Sequence, residues 1–180
     1  ETPNNEVNTA QLAFENRIDL SELQESVFNI KKQLKKVIVG QKEMMDVLVV
    51  ALLADGHVLI EGVPGVAKTI TAKLLSSTIN VPFSRIQFTP DLMPSDILGT
   101  SVFNVKTSKF EFKKGPIFSS MILIDEINRA PAKTQAALFE VMEEKQVTMA
   151  GTTYKMEEPF IVLATNNQIE QEETYRLPKD

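Results

Sequence analysis

The stretch Gly62-Val63-Pro64-Gly65-Val66-Ala67-Lys68-Thr69 limits what this chain can fold into more than any other. It follows a short apolar run, His57-Val58-Leu59-Ile60, and precedes a helix-like one. Strand, glycine-bearing loop, Lys-Thr and helix, in that order, is the layout of a phosphate-binding P-loop. The backbone N–H groups of such a loop and the start of its helix form an anion site. Lys68 can then reach β and γ phosphates, and the Thr69 hydroxyl can ligate Mg²⁺. One position departs from G-x-x-x-x-G-K-S/T: Ala67 stands where the second glycine belongs.

A chain of 180 residues, 43% of them hydrophobic, can bury one sizeable core and is expected to be globular. The formal net charge of -5 argues against a nucleic-acid partner. With no Cys there is neither a disulfide framework nor a thiolate metal site, which fits a reducing cytoplasm. The longest apolar run, Val47 to Ala54, is too short to span a bilayer, and no signal-peptide pattern opens the chain.

Residues 1–19 read as a polar leader and residues 20–180 as one domain. Ser21-Glu22-Leu23-Gln24 reads as a capping box, followed by Leu23, Val27, Ile30, Leu34 and Val37 at helical spacing. A second helix is expected from about Gln41 to Ala54, stopped by Gly56. Lys31, Lys32, Lys35 and Lys36 form an anion-binding face or, more simply, a solvated helix face. Helix is expected again from Lys68 to about Ile79, and a strand over Arg85-Ile86-Gln87-Phe88. Met121-Ile122-Leu123-Ile124 and Phe160-Ile161-Val162-Leu163 are continuous apolar runs, as parallel strands covered on both faces require. Between them a helix starts with Pro131 as its first residue and runs to Glu144. The alternation implies an α/β layered fold with right-handed crossovers. Two β-hairpins, over residues 102–112 and 147–156, interrupt that rhythm.

The apolar run at Met121 ends in Asp125-Glu126. A strand-end Asp can meet a Mg²⁺ ion opposite the P-loop hydroxyl, and the next Glu can take a proton from attacking water. Alone, such a motif is equally a core strand entering an acidic turn; downstream of Lys68-Thr69 the catalytic reading prevails. Leu163-Ala164-Thr165-Asn166-Asn167 ends in amides that either bind a γ-phosphate or simply make the strand-to-loop turn. Arg129 is either a surface turn residue or a contact across a subunit interface. His57, the single histidine, cannot build a metal site and reads as structural.

From Val37 to Pro178 the chain resembles the MoxR family of AAA+ ATPases. The segments that carry the likeness include Val37-Ile38-Val39-Gly40-Gln41, Ile86-Gln87-Phe88-Thr89-Pro90-Asp91-Leu92-Met93-Pro94-Ser95-Asp96, Gly115-Pro116-Ile117-Phe118, Asp125-Glu126-Ile127-Asn128-Arg129-Ala130-Pro131 and Ile169-Glu170-Gln171-Glu172. The resemblance implies a three-layer αβα core with a parallel sheet, the two hairpins being the helix-2 insert and the pre-sensor-1 hairpin. It implies ATP and Mg²⁺ as cofactors. Gly62, Val63, Pro64, Gly65, Val66, Ala67, Lys68, Thr69 and Ile70 would contact the nucleotide, with Val39 and Gly40 near the adenine. Thr69 and Asp125 would hold the metal; Lys68, Glu126 and the sensor-1 residue Asn167 would be catalytic. The implied protein is a hexameric, cytoplasmic, chaperone-like ATPase acting on a protein client, often beside a von Willebrand factor A-domain partner.

Ala67 and Gln168, which replaces a usual Pro, depart from the family. The sequence also ends at Asp180, before the family's arginine finger, last strand and helical lid. Weak nucleotide binding and slow turnover are therefore expected of this piece. Two other readings follow from the same residues: a nucleic-acid motor, disfavoured by the acidic balance, and a non-catalytic nucleotide-binding module. No N-K-x-D motif follows the last strand, so guanine specificity is not expected.

Overall fold

The computed structural model describes residues 20–38, 40–61, 66–149 and 151–166. Among the described residues two helices come first, α1 (Ser21–Lys35) and α2 (Lys42–Ala54). Strand β1 (Val58–Glu61) leads through residues 62–65 to α3 (Val66–Thr78) and then β2 (Phe83–Gln87). A short α4 (Pro94–Leu98) introduces the ribbon β3 (Gly99–Asn104) and β4 (Lys109–Lys114). Strand β5 (Met121–Asp125) passes through a 3-10 turn (Ile127–Arg129) into α5 (Ala132–Glu144). A second ribbon, β6 (Gln146–Met149) and β7 (Thr152–Lys155), precedes β8 (Ile161–Asn166).

β1, β8, β5 and β2 form, in that order, a four-stranded sheet whose pairs are all parallel. The continuous apolar runs explain why it is covered on both faces. Ile122 and Ile124 of β5 face one core with Leu138 and Val141 of α5. Met121 and Leu123, on the opposite face, pack with Leu34 of α1, Leu48 of α2 and Leu75 of α3. Alternate residues of one strand thus serve separate helical layers, which is the expected αβα sandwich.

Both expected hairpins form as separate two-stranded sheets. The first is longer than its hydrophobic pattern, because its base is pinned by two glycines. A Cβ on Gly99 (φ +107) would lie 2.3 Å from the Lys113 carbonyl oxygen, and one on Gly115 would lie 2.2 Å from that of Ile97. The ribbons touch through stacked rings, Phe112 of β4 lying 4.5 Å from Tyr154 of β7.

Three local expectations need correction. Ser21 is already helical, Leu20 occupies the N-cap position, and no side chain caps α1. Asp55 (φ 51), not Gly56, takes the left-handed conformation that ends α2, a geometry Asp tolerates. Pro131 is extended (ψ 149) and is the N-cap of α5 rather than its first residue. Leader residues 1–19 lie outside the described residues. Among those described, no helix is long and apolar enough to cross a membrane.

Candidate functional site

Parallel pairing brings the carboxyl ends of all four sheet strands to one edge. Glu61 ends β1 opposite Asn166 of β8, and Gln87 ends β2 opposite Asp125 of β5. β1, β5 and β8 are apolar through their bodies, and all four strands end in a polar residue, so the sequence itself lays a polar strip where ligands of open α/β sheets bind.

Lys68 enters this edge from the first turn of α3. Its Nζ is buried and has no hydrogen-bond partner among the described residues. Burying an ammonium without a partner costs several kcal/mol (roughly) and is retained only where an anion completes it. A triphosphate fits that requirement. The backbone at Ala67 is helical, so its departure from glycine carries no glycine-only conformation. Lys68 and Gln41 line one cavity of about 510 Å³ with Met44 and Val47 of α2 and Leu59 of β1. That cavity joins the lysine to the segment beside Gly40.

The acids sit at the end of β5. Asp125 Oδ2 accepts a hydrogen bond from Arg85 Nε at 2.6 Å, with 17% of the Asp125 side chain exposed. Glu126 adopts φ 56 and ψ 53, a conformation costing a non-glycine residue about 1–3 kcal/mol. Several contacts hold it there. Its N–H donates to Thr165 Oγ1 at 3.0 Å. Its Oε2 accepts from Arg129 Nη1 at 2.9 Å and from Gln87 Nε2 at 3.1 Å. The carboxylate is thereby aimed rather than free to rotate. A carboxylate, a threonine hydroxyl and phosphate oxygens are the oxygen set that Mg²⁺ prefers.

Asn166 Oδ1, an acceptor, is also buried at this edge and without a hydrogen-bond partner among the described residues. Asn167, the expected sensor, lies outside the described residues, as do Val39 and Gly62, Val63, Pro64 and Gly65. Nothing is described of the side chains of Val66 and Ala67. Thr69 is half-buried and Ile70 exposed on α3.

Sequence reasoning missed Arg85, Gln87 and Thr165 as site residues. A signal existed: Arg85 and Gln87 are polar at alternate positions of an expected strand and so share one of its faces. Arg129, left open between two readings, contacts Glu126 of its own chain. The lysine cluster is a solvated face, with Lys31 paired to Asp46 at 2.8 Å and Lys36 donating to Gln33 Oε1 at 2.7 Å. Lys31 also holds the Asp46 carboxyl below its usual range.

His57 has the structural role expected. Val162 N–H donates to its Nδ1 at 3.1 Å, and its Nε2 lies 3.3 Å from the Met142 carbonyl. Burial pushes its pKa down, so a neutral ring donating from Nε2 satisfies both contacts.

The sandwich, the helix-borne lysine after β1 and the acid pair ending β5 together define a P-loop nucleotide-binding architecture. Residues 57–180 match the ATPase family associated with various cellular activities (AAA). The chain is 47% identical over 157 residues to the Chaperone MoxR1 of Mycobacterium tuberculosis, covering 87% of this chain and 41% of that protein. It is 49% identical over 148 residues to the uncharacterized protein YeaC of Bacillus subtilis, covering 82% and 46%. A crystal structure of a candidate ATPase from Cytophaga hutchinsonii superposes with TM-score 0.77 at 48% identity, covering 90% of this chain and 51% of that one. The chain therefore belongs to the AAA family and, within it, to the MoxR-like proteins. It spans less than half the length of those curated relatives.

Proposed function

We propose that the chain binds Mg-ATP and hydrolyses its terminal phosphoanhydride to drive the remodelling or maturation of a protein client. The observation that carries this reading is the buried Lys68 ammonium, without a hydrogen-bond partner among the described residues, at the edge that also bears Asp125 and Glu126. Lys68 would neutralise the β and γ phosphates, with the backbone from Gly62 to Ile70 around them. Thr69 and Asp125 would hold Mg²⁺, whose charge offsets that of the phosphates. Glu126, aimed by Arg129, Gln87 and Thr165, would accept a proton from water. That water's oxygen bonds to the γ phosphorus as the bond to the ADP oxygen breaks. Asn167 would hydrogen-bond the γ-phosphate, and Gly40 and Val39 would flank the adenine.

A homo-hexamer in the cytoplasm, working with a von Willebrand factor A-domain protein, fits the MoxR-like membership. The hairpins would line its central face. Phe103 and Phe110 pack edge-on at 5.2 Å, and Phe110 is 74% exposed, an apolar surface suited to a protein client.

Glu126→Gln tests the reading. ATP affinity should stay within about threefold while phosphate release falls by about 10²–10⁴-fold. An unchanged release rate would mean that Glu126 is not the base.

A further inference from the structure

Both acids of the site are held by side chains of the same chain, but in different ways. Glu126 is held by Arg129, three residues on, and by Gln87. Asp125 is held from across the sheet by Arg85. The β2–β5 register sets Arg85 opposite Leu123 and Gln87 opposite Asp125. Residues two apart on a strand share a face, so Arg85 and Asp125 project from the same side of the sheet. Arg85 reaches forward along it, and its Nε meets Oδ2 at 2.6 Å, short even for a charge-assisted bond.

That bond opposes a metal ion at Asp125. Mg²⁺ bonds oxygen at about 2.1 Å in a near-octahedral shell and cannot share Oδ2 with a donor at that distance. If the ion takes Oδ1 instead, the guanidinium remains a few ångströms away and repels it. Arg85 is also easily displaced. Its side chain is 55% exposed, so the pair is screened and the guanidinium can return to water at small cost. Lys68 is the contrast: among the described residues its Nζ has no hydrogen-bond partner for a phosphate to displace.

We propose that Arg85 is a positioning residue that competes with Mg²⁺ for Asp125 and thereby sets the metal concentration at which the site loads. The proposal rests on Asp125 being the metal ligand, as argued above. Phosphate engages Lys68 first; the metal follows by displacing the guanidinium.

The test is a Mg²⁺ titration of this chain carrying a fluorescent ADP derivative, starting in EDTA, for the unaltered protein, Arg85→Met, Arg85→Gln, Arg85→Lys and Asp125→Asn. Arg85→Met and Arg85→Gln should each lower the half-saturating Mg²⁺ concentration by about two- to fivefold, leaving affinity in EDTA unchanged. Arg85→Lys should restore most of the original requirement. If neither neutral variant shifts the midpoint, or both raise it, the proposal is overturned; a rise would mean that Arg85 orients Asp125 for the metal. Asp125→Asn separates the two ideas. If it weakens Mg²⁺ binding while the Arg85 variants do nothing, only this proposal falls. If it leaves the Mg²⁺ midpoint unchanged, the metal-ligand reading falls, and the proposal with it.

Discussion

The two ends of the central sheet handle buried polarity in opposite ways. At the amino end, His57 is wedged between β8 and α5, and both ring nitrogens are engaged by backbone, with Phe160 edge-on at 5.5 Å. At the carboxyl end, Lys68 and Asn166 carry buried polar atoms with no hydrogen-bond partner among the described residues, and the acids are held by exchangeable side chains. Backbone partners cannot leave without unfolding; side-chain partners can. Polarity at the amino end therefore serves the fold, whereas polarity at the carboxyl end costs stability and is available to a ligand.

Substitutions at the two ends should accordingly separate stability from binding. The largest stability effect should come from His57→Ala. It strands the Val162 N–H and opens a void, costing about 2–4 kcal/mol in urea melts, with ATP affinity unchanged. A matched loss of affinity would erase the distinction between the ends. Thr165→Val should have a smaller effect. It keeps the strand's packing but leaves the Glu126 N–H without its acceptor, for about 1–2 kcal/mol and a slower phosphate release.

The pH response should be smaller still and should belong to the amino end. Burial lowers the His57 pKa below 6.5, opposed by the hydrogen bond to the Met142 carbonyl, with Lys145 lowering it further and Asp55 raising it. Below pH 6.5 the unfolded chain binds a proton that the folded chain resists. Stability should therefore be full above that value and decline as pH falls toward the folded pKa. A His57→Gln variant should show a flatter thermal-melt profile between about pH 7 and 5.5. An identical slope in both proteins would remove His57 as the cause.

The strands of the sheet were legible because Met121–Ile124 and Phe160–Leu163 are apolar without alternation, a pattern only a doubly covered strand needs. The acids were legible because they end such a strand. Arg85 and Gln87 were not, since their role depends on which strand β2 pairs with and in what register, and a linear pattern carries neither. Helix ends were misplaced by a residue for a related reason. Ser21 has the chemistry of a cap, but whether it caps depends on its backbone angles, which packing of α1 decides.

On the function proposed above, Lys68 is buried for a phosphate rather than for the fold. Lys68→Met keeps the stem's length and removes the charge, so thermal stability and Mg-ATP binding measured together on this one variant decide the matter. The melting temperature should equal or exceed that of the unaltered chain, with ATP affinity reduced at least about 100-fold. A melting temperature lower by several degrees, with affinity within about twofold, would contradict it.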